Sequence, residues 1–128
     1  MAKRIKREVP NTNNAKKTSK GNIYVMDFGW YDDIHKIMKL GQSVHTSVRA
    51  GQHKSKGNQF IRGKEPKIIM NCGVSKYSQD RLEDKNRDLW DKTPGFERCP
   101  GCRDTFFVDT TVVSEVFLTI RKTYKIAI

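Results

Sequence analysis

The apolar residues of the chain are gathered into short segments, and two of these segments predict strands. Ile23 to Phe28 is a run of β-branched, aromatic and other apolar residues, which is typical of a buried strand. A second apolar run, Ile68 to Met70, leads directly to Cys72. The pattern therefore predicts a strand over residues 23–28 and another over residues 67–72, with Cys72 at the end of the second.

Two other segments have helical patterns. Over residues 32–40 the apolar residues recur at spacings of three and four, Asp32 or Asp33 is placed to cap the first turn, and Gly41 follows as an end signal. This pattern predicts a helix that ends at Leu40.

The second helical segment follows Ser78, which is a suitable capping residue. Its charged residues alternate in sign, and its apolar residues form one narrow stripe of Leu82, Leu89 and Trp90. The turn sequence at residues 93–95, Thr-Pro-Gly, ends it. We expect an exposed helix that is held to the body of the protein along this stripe.

The C-terminal segment from Thr105 to Ile128 fits two patterns. Its apolar residues share one parity, which suits the face of a strand or hairpin, and a helical stripe through Val112, Val116 and Ile120 fits nearly as well. The abundance of Thr, Val and Ile favours strand. The predicted fold class is therefore α+β: a small single domain with two short helices, a β-rich C-terminal half and a zinc-ribbon-like turn.

The positive charge of the chain is unevenly distributed along the sequence. The chain has 128 residues and a formal net charge of +11, which makes a polyanionic partner, with nucleic acid first, the leading expectation. Residues 1–21 carry little apolar surface and are predicted to be a flexible basic arm, while residues 22–128 form the domain. The arm residues predicted to contact phosphates are Lys3, Arg4, Lys6 and Arg7.

A second basic segment lies inside the domain. We call residues 49–67 the basic segment; it contains six basic residues against Glu65 and three glycines, and it is predicted to be an exposed loop or loose hairpin. Phe60 is available there to stack on a base, although packing into the core is the favoured prediction for it. The residues predicted to contact nucleic acid are Arg49, Lys54, Lys56, Arg62 and Lys64.

The cysteines predict a metal site. We call Cys99-Pro100-Gly101-Cys102 the clasp, because the Pro-Gly pair gives a tight turn that directs both thiols to one side, as in zinc ribbons. Cys72, separated from Cys99 by twenty-six residues, supplies a third thiol. Zinc usually takes four ligands, and His53 is the favoured fourth, followed by His45, an acid such as Asp104, or a water.

Other interpretations of the thiols remain open. An odd number of cysteines excludes a complete set of intramolecular disulfides, so we expect a reducing, intracellular location, cytoplasmic or nuclear. Cys72 can be a buried small apolar residue and the clasp an inert turn, and a thiol oxidoreductase is a further alternative. The zinc deaminases are excluded because no His-x-Glu motif is present.

These observations favour a binding function over an enzymatic one. The leading function is a non-enzymatic nucleic-acid-binding protein, DNA or RNA, stabilised by structural zinc. The competing function is a basic adaptor or inhibitor, of viral or cellular origin, that binds an acidic protein. A small nuclease using Glu65, Lys67 and upstream acids such as Asp27 is a further alternative. No apolar run has the ~18 residues of a membrane span, so no membrane partner is expected.

Overall fold

The computed structural model describes residues 20–112, 114, 115, 118, 119 and 121. Over these residues the chain forms an α+β domain, as predicted, and up to residue 112 it contains five strands, two helices and a 3-10 turn. In chain order the elements are β1 (Lys20–Trp30), β2 (His35–Ser43), α1 (Thr46–Lys56), β3 (Lys67–Ser75), the 3-10 turn (Lys76–Ser78), α2 (Gln79–Lys92), β4 (Phe96–Arg98) and β5 (Thr105–Asp109).

The strands form one antiparallel sheet in the order β3-β1-β2-β5-β4. β1 lies inside the sheet, between β3 and β2, and its apolar run is buried on both faces. Successive side chains of a strand point to opposite faces, so β1 directs Ile23 and Val25 to one face and Tyr24 and Met26 to the other. The sheet therefore needs a cover on each side.

Each helix covers one face. α2 packs its apolar stripe, including Leu82 and Trp90, against the face that carries Ile23 and Val25, and we call this the α2 face. Trp90 makes edge-to-face contacts there with Phe96 and Phe106, at ring-centroid distances of 5.0 and 5.1 Å. The opposite face, which we call the α1 face, packs Tyr24, Met26, Phe28 and Ile37 against Ala50 of α1 and Ile61.

Several sequence predictions are confirmed. The strands at residues 23–28 and 67–72 are β1 and β3, and the helix after Ser78 is α2, which ends before the predicted turn at residues 93–95. The clasp forms a turn between β4 and β5, with a hydrogen bond from Cys102 N to Cys99 O of 3.1 Å and a positive φ of 74° at Gly101. A Pro-Gly pair suits such a turn because glycine accepts positive φ without steric cost.

The predicted helix over residues 32–40 is wrong, because residues 32–34 lie in the turn after β1 and residues 35–40 belong to strand β2. The strand is buried on both faces: Ile37 enters the α1-face cluster, whereas Met38 and Leu40 enter the α2-face cluster. A strand with two buried faces has apolar residues at both parities, and these can coincide with helical spacing. Pairing with β1 in a hairpin then makes this segment a strand and not a helix.

The basic segment was predicted to be a loop, and this is wrong for its first half, which lies in α1. The apolar pattern of the sequence does not indicate this helix, because the helix buries only two small residues, Thr46 and Ala50.

The C-terminal strand prediction holds only over Thr105–Asp109, which is β5. Residues 114, 115, 118, 119 and 121 are helical, which agrees with the alternative pattern. The rest of this prediction, at residues 113, 116, 117, 120 and 122–128, lies outside the described residues, as does the arm up to residue 19. The boundary between arm and domain stays a prediction, and β1 begins at Lys20.

Candidate functional site

The structure separates the three cysteines that were predicted to share a metal. Cys99 and Cys102 lie in the clasp, between β4 and β5, whereas Cys72 lies on β3, which is the opposite edge strand of the sheet. Strands β1 and β2 stand between β3 and β5. Three strand spacings amount to about 14 Å, far more than the ~2.3 Å length of a zinc–sulfur bond.

His53, the predicted fourth ligand, is committed to another contact. It lies on the sheet side of α1, and its Nε2 is 2.8 Å from the Tyr24 hydroxyl. Burial, with the nearby Lys39 and Arg49 cations, lowers the pKa of His53 to about 4. His45 is exposed at the N-cap of α1. All cysteines and histidines of the chain are among the described residues, and these residues hold no group of three or more His, Cys, Asp and Glu side chains arranged to bind a metal.

The two clasp thiols are close to one another but are not activated. Cys99 is buried, at 2% exposure, and burial is the main cause that raises its pKa to about 12. Burial also raises the pKa of Cys102. Thiol–disulfide exchange requires a thiolate, so both groups lack the property that a redox-active cysteine needs at neutral pH.

The acids of the nuclease alternative are also dispersed. Asp27 is buried on β1 and bonds Lys36 at 2.9 Å, whereas Asp32 lies in the β1–β2 turn and bonds His35. Glu65 is exposed and bonds Lys54 at 2.5 Å, and Lys67 begins β3. These carboxylates belong to separate parts of the described structure, each with its own cation or imidazole.

A cleft of about 610 Å³ lies beside the free edge of β2. The ladder between β2 and β5 ends at Lys39, so the end of β2 has no neighbouring strand on that side in the part of the chain that the structure describes. Gly41 allows the Tyr24 ring to lie across it: a Cβ at this position would be 2.3 Å from the Tyr24 hydroxyl. The cleft is lined by Tyr24 and Gly41 of the sheet, by Arg49 and His53 of α1, and by Gln79 and Glu83 of α2.

One end of this cleft holds a strongly paired lysine. Lys39 Nζ contacts Asp104 Oδ1, and both side chains are mostly buried, at 12% and 16% exposure. The cleft therefore contains two cations, Lys39 and Arg49, balanced by two carboxylates, Asp104 and Glu83. Sequence reasoning mentioned Asp104 only as a metal ligand. The pair with Lys39 joins residues 65 positions apart, and no local pattern indicates it.

The residues predicted to bind nucleic acid within the domain all lie on the α1 side of the sheet. Arg49, Lys54 and Lys56 are on α1, and Arg62 and Lys64 are in the turns that follow it; Lys64 is half-buried and the other four are exposed. Arg62 Nε donates to Gly57 O at 2.9 Å, which leaves its terminal nitrogens available. Within the described ranges, Arg49, Lys56, Arg62 and Lys64 form no ion pair with a carboxylate. The arm residues Lys3, Arg4, Lys6 and Arg7 lie outside those ranges.

The opposite layer has a different charge. α2 carries four basic and five acidic side chains, and several of them pair with each other, such as Arg87 with Asp84. The basic segment carries six basic residues against Glu65 alone. The sheet thus separates a strongly basic layer from a layer of nearly balanced charge.

Sequence reasoning missed one group of aromatic residues on the α1 side. Tyr31, Phe60 and Phe107 pack together, with the Tyr31 and Phe107 rings stacked at 4.1 Å. Phe60 is half-buried in this group, close to the expected core position. The sequence pattern predicted a helix starting just after Tyr31, and only the β1–β2 hairpin places Tyr31 beside β5.

Comparison with protein-family models, curated proteins and solved structures found no match for this chain. In the described part of the chain, no helix has the length and apolar character needed to span a membrane.

Proposed function

We propose that this chain is a non-enzymatic nucleic-acid-binding protein whose α1 side holds the phosphate backbone. The observation that carries this proposal is the separation of charge by the sheet, with unpaired cations of the basic segment on one side and the near-neutral α2 on the other. A cation that forms no ion pair with a protein carboxylate is available to a phosphate. Arg49, Lys56, Arg62 and Lys64 supply these cations.

The expected binding is dominated by electrostatics. Each phosphate that a lysine or arginine neutralises releases condensed counterions, so affinity falls as salt rises. Contacts of this kind carry no sequence information, and the proposed interface is therefore weakly sequence-specific. Lys54 contributes less than the others because Glu65 already binds it. The basic arm, with Lys3, Arg4, Lys6 and Arg7, adds further phosphate contacts in this proposal.

The chain offers a matched experiment. The α1-side triple variant Arg49→Gln, Lys56→Gln and Lys64→Gln removes three positive charges, and the α2 triple variant Arg81→Gln, Lys85→Gln and Lys92→Gln removes the same number from exposed positions on the other layer. Fluorescence anisotropy with labelled DNA and RNA should show that the α1-side variant loses about tenfold or more in affinity at low salt.

The salt dependence separates local contacts from net charge. The slope of log affinity against log salt should fall by about 2 to 3 in the α1-side variant, because each lost phosphate contact removes roughly 0.7 to 0.9. The α2 variant should keep nearly the original slope. Equal losses in both variants would mean that net charge alone attracts the nucleic acid, and the proposed interface would then be wrong.

The acidic-protein adaptor remains the competing function, and the same experiment decides between the two. Absence of binding to both DNA and RNA by the wild-type chain would favour the adaptor.

The structural zinc is also a proposal, and the geometry limits its donors: Cys99 and Cys102 are the thiols that the clasp brings together, while Cys72 and His53 lie elsewhere. Elemental analysis of protein purified without chelator tests it.

A further inference from the structure

Tyr31 is exposed although one face of its ring is covered. The ring stacks on Phe107 at a centroid distance of 4.1 Å and an angle of 27°, and Phe60 stands edge-on to Phe107 at 5.4 Å. Tyr31 nevertheless has 52% of its surface exposed. Because Phe107 covers one side, the exposed surface includes the other ring face. We call Tyr31, Phe60 and Phe107 the aromatic platform.

The aromatic platform shares the α1 side with the unpaired cations. Phe107 is the β5 partner of Ile37, whose side chain lies in the α1-face cluster, and residues directly opposite one another on paired strands share a face. Phe60 lies between α1 and β3, and Arg62 follows it by two residues. At 3.80 Å per residue their Cα atoms are at most about 7.6 Å apart. An aromatic surface and a phosphate-binding cation therefore lie within the span of a short oligonucleotide.

The carboxylates beside Tyr31 restrict how a nucleic acid can approach. Asp32 and Asp33 follow it directly; Asp32 is held by the backbone amides of Ile34 and His35 and by the His35 ring, and Asp33 is exposed. Negative charge here repels phosphates. The sugar–phosphate chain must therefore lie toward Arg62 and Lys64, so that only a base reaches Tyr31.

We propose that the partner is single-stranded nucleic acid, and that an unpaired base stacks on the open face of Tyr31 while adjacent phosphates bind Arg62 and Lys64. This inference rests on the proposed function and names its substrate class. A base inside a duplex has both faces covered by its neighbours, whereas an unpaired base has a free face for an aromatic side chain. Stacking tolerates any base, which agrees with weak sequence specificity.

Trp30 provides a matched control. It is exposed to the same extent, 53%, and it is adjacent in sequence. Its strand partner is Lys36, whose Nζ lies 5.1 Å from the centre of the Trp30 ring. Because Lys36 precedes Ile37 on β2, its side chain points away from the α1 face, and Trp30 lies with it on the other side of the hairpin.

The test compares Tyr31→Ala with Trp30→Ala on a labelled oligothymidylate and on a mixed-sequence duplex of equal length. The wild-type chain should bind the single strand more tightly than the duplex. Tyr31→Ala should weaken single-strand binding by about 5- to 150-fold, the loss expected for one stacked base, and leave duplex binding nearly unchanged. Trp30→Ala should change neither, and Tyr31→Phe should retain the single-strand affinity.

The remaining outcomes overturn the inference in distinguishable ways. Duplex binding equal to single-strand binding, with no effect of Tyr31→Ala, would overturn the stacking site and leave the proposed function intact. No binding to either probe by the wild-type chain would overturn both. An equal loss of single-strand affinity in Trp30→Ala would mean that the effect is not specific to the Tyr31 ring, and would overturn the stacking site. If Tyr31→Ala unfolds, Tyr31→Leu replaces it, because leucine keeps an apolar side chain against Phe107 but has no ring face, and the same loss of single-strand affinity with nearly unchanged duplex binding is expected.

Discussion

The hydroxyl of Tyr24 and Nε2 of His53 lie 2.8 Å apart, between the centre of the sheet and α1. Tyr24 is almost fully buried, and burial raises its pKa above the usual range. His53 is half-buried beside it, and burial is also the main reason that its pKa is lowered. This contact fastens α1 to β1 and makes His53 a structural group.

The lowered pKa of His53 predicts how stability depends on pH. The pKa falls from 6.5 to about 4 on folding, so between these values the unfolded chain binds a proton that the folded chain does not. Stability should therefore be complete above pH 6.5 and decrease as pH falls toward about 4. Solvent screening limits the effect to about 1 to 2 kcal/mol.

Two measurements check this dependence. Urea unfolding of wild type and His53→Gln at several pH values should show a smaller decrease in the variant over this window. An NMR titration should show that His53 takes up its proton at a pH well below that of an ordinary histidine. Lys39, Arg49 and Asp104 face His53. Parallel pH curves for the two proteins would mean that His53 is not the source of the dependence, and would contradict this prediction.

Gly41 is required where the Tyr24 ring crosses β2. A Cβ at Gly41 would be 2.3 Å from the Tyr24 hydroxyl, and this ring is buried and cannot move aside without breaking its bond to His53. Gly41→Ala should lower the free energy of unfolding by about 1 to 3 kcal/mol in urea denaturation. Gly73→Ala is the control, because Gly73 lies in β3 with no atom within 4 Å of a Cβ. A comparable loss in both variants would show that strand glycines matter through the backbone alone.

The Lys39–Asp104 pair should contribute far more to stability than the Lys54–Glu65 pair. The first is mostly buried, whereas the side chains of the second are 49% and 76% exposed. Asp104→Ala leaves Lys39 without its partner in a buried position and should cost about 2 to 4 kcal/mol. Glu65→Ala should cost less than about 1 kcal/mol. Unfolding curves measure both, and equal costs would mean that Lys39 finds water or another acceptor.

The placement of the thiols predicts how metal content responds to mutation. Cys72→Ser should leave the zinc content of the purified protein at the wild-type value, because β1 and β2 separate Cys72 from the clasp. Cys99→Ser should remove any zinc that the clasp holds. Elemental analysis of the three proteins, each purified without chelator, is the measurement. Zinc in the wild type that Cys72→Ser eliminates would contradict the strand order described above.

Local patterns of the sequence determined much of the framework. The buried runs at residues 23–28 and 67–72 became β1 and β3, and the single stripe of Leu82, Leu89 and Trp90 became the buried side of α2. The Pro-Gly turn and the excess positive charge of the basic segment were also readable, because turn geometry and formal charge belong to the residues themselves.

Only the tertiary structure decided what those elements bring together. Residues 35–40 became part of a strand because pairing with β1 outweighed their helical spacing, and this hairpin placed Tyr31 on Phe107. Strand order separated Cys72 from the clasp and joined Lys39 to Asp104. Such contacts connect residues far apart in the chain, whereas periodicity reports only neighbours within a few positions. The sequence therefore determined β1, β3, α2 and the charges that the elements carry, and the packing of the sheet decided the other elements and which side chains meet.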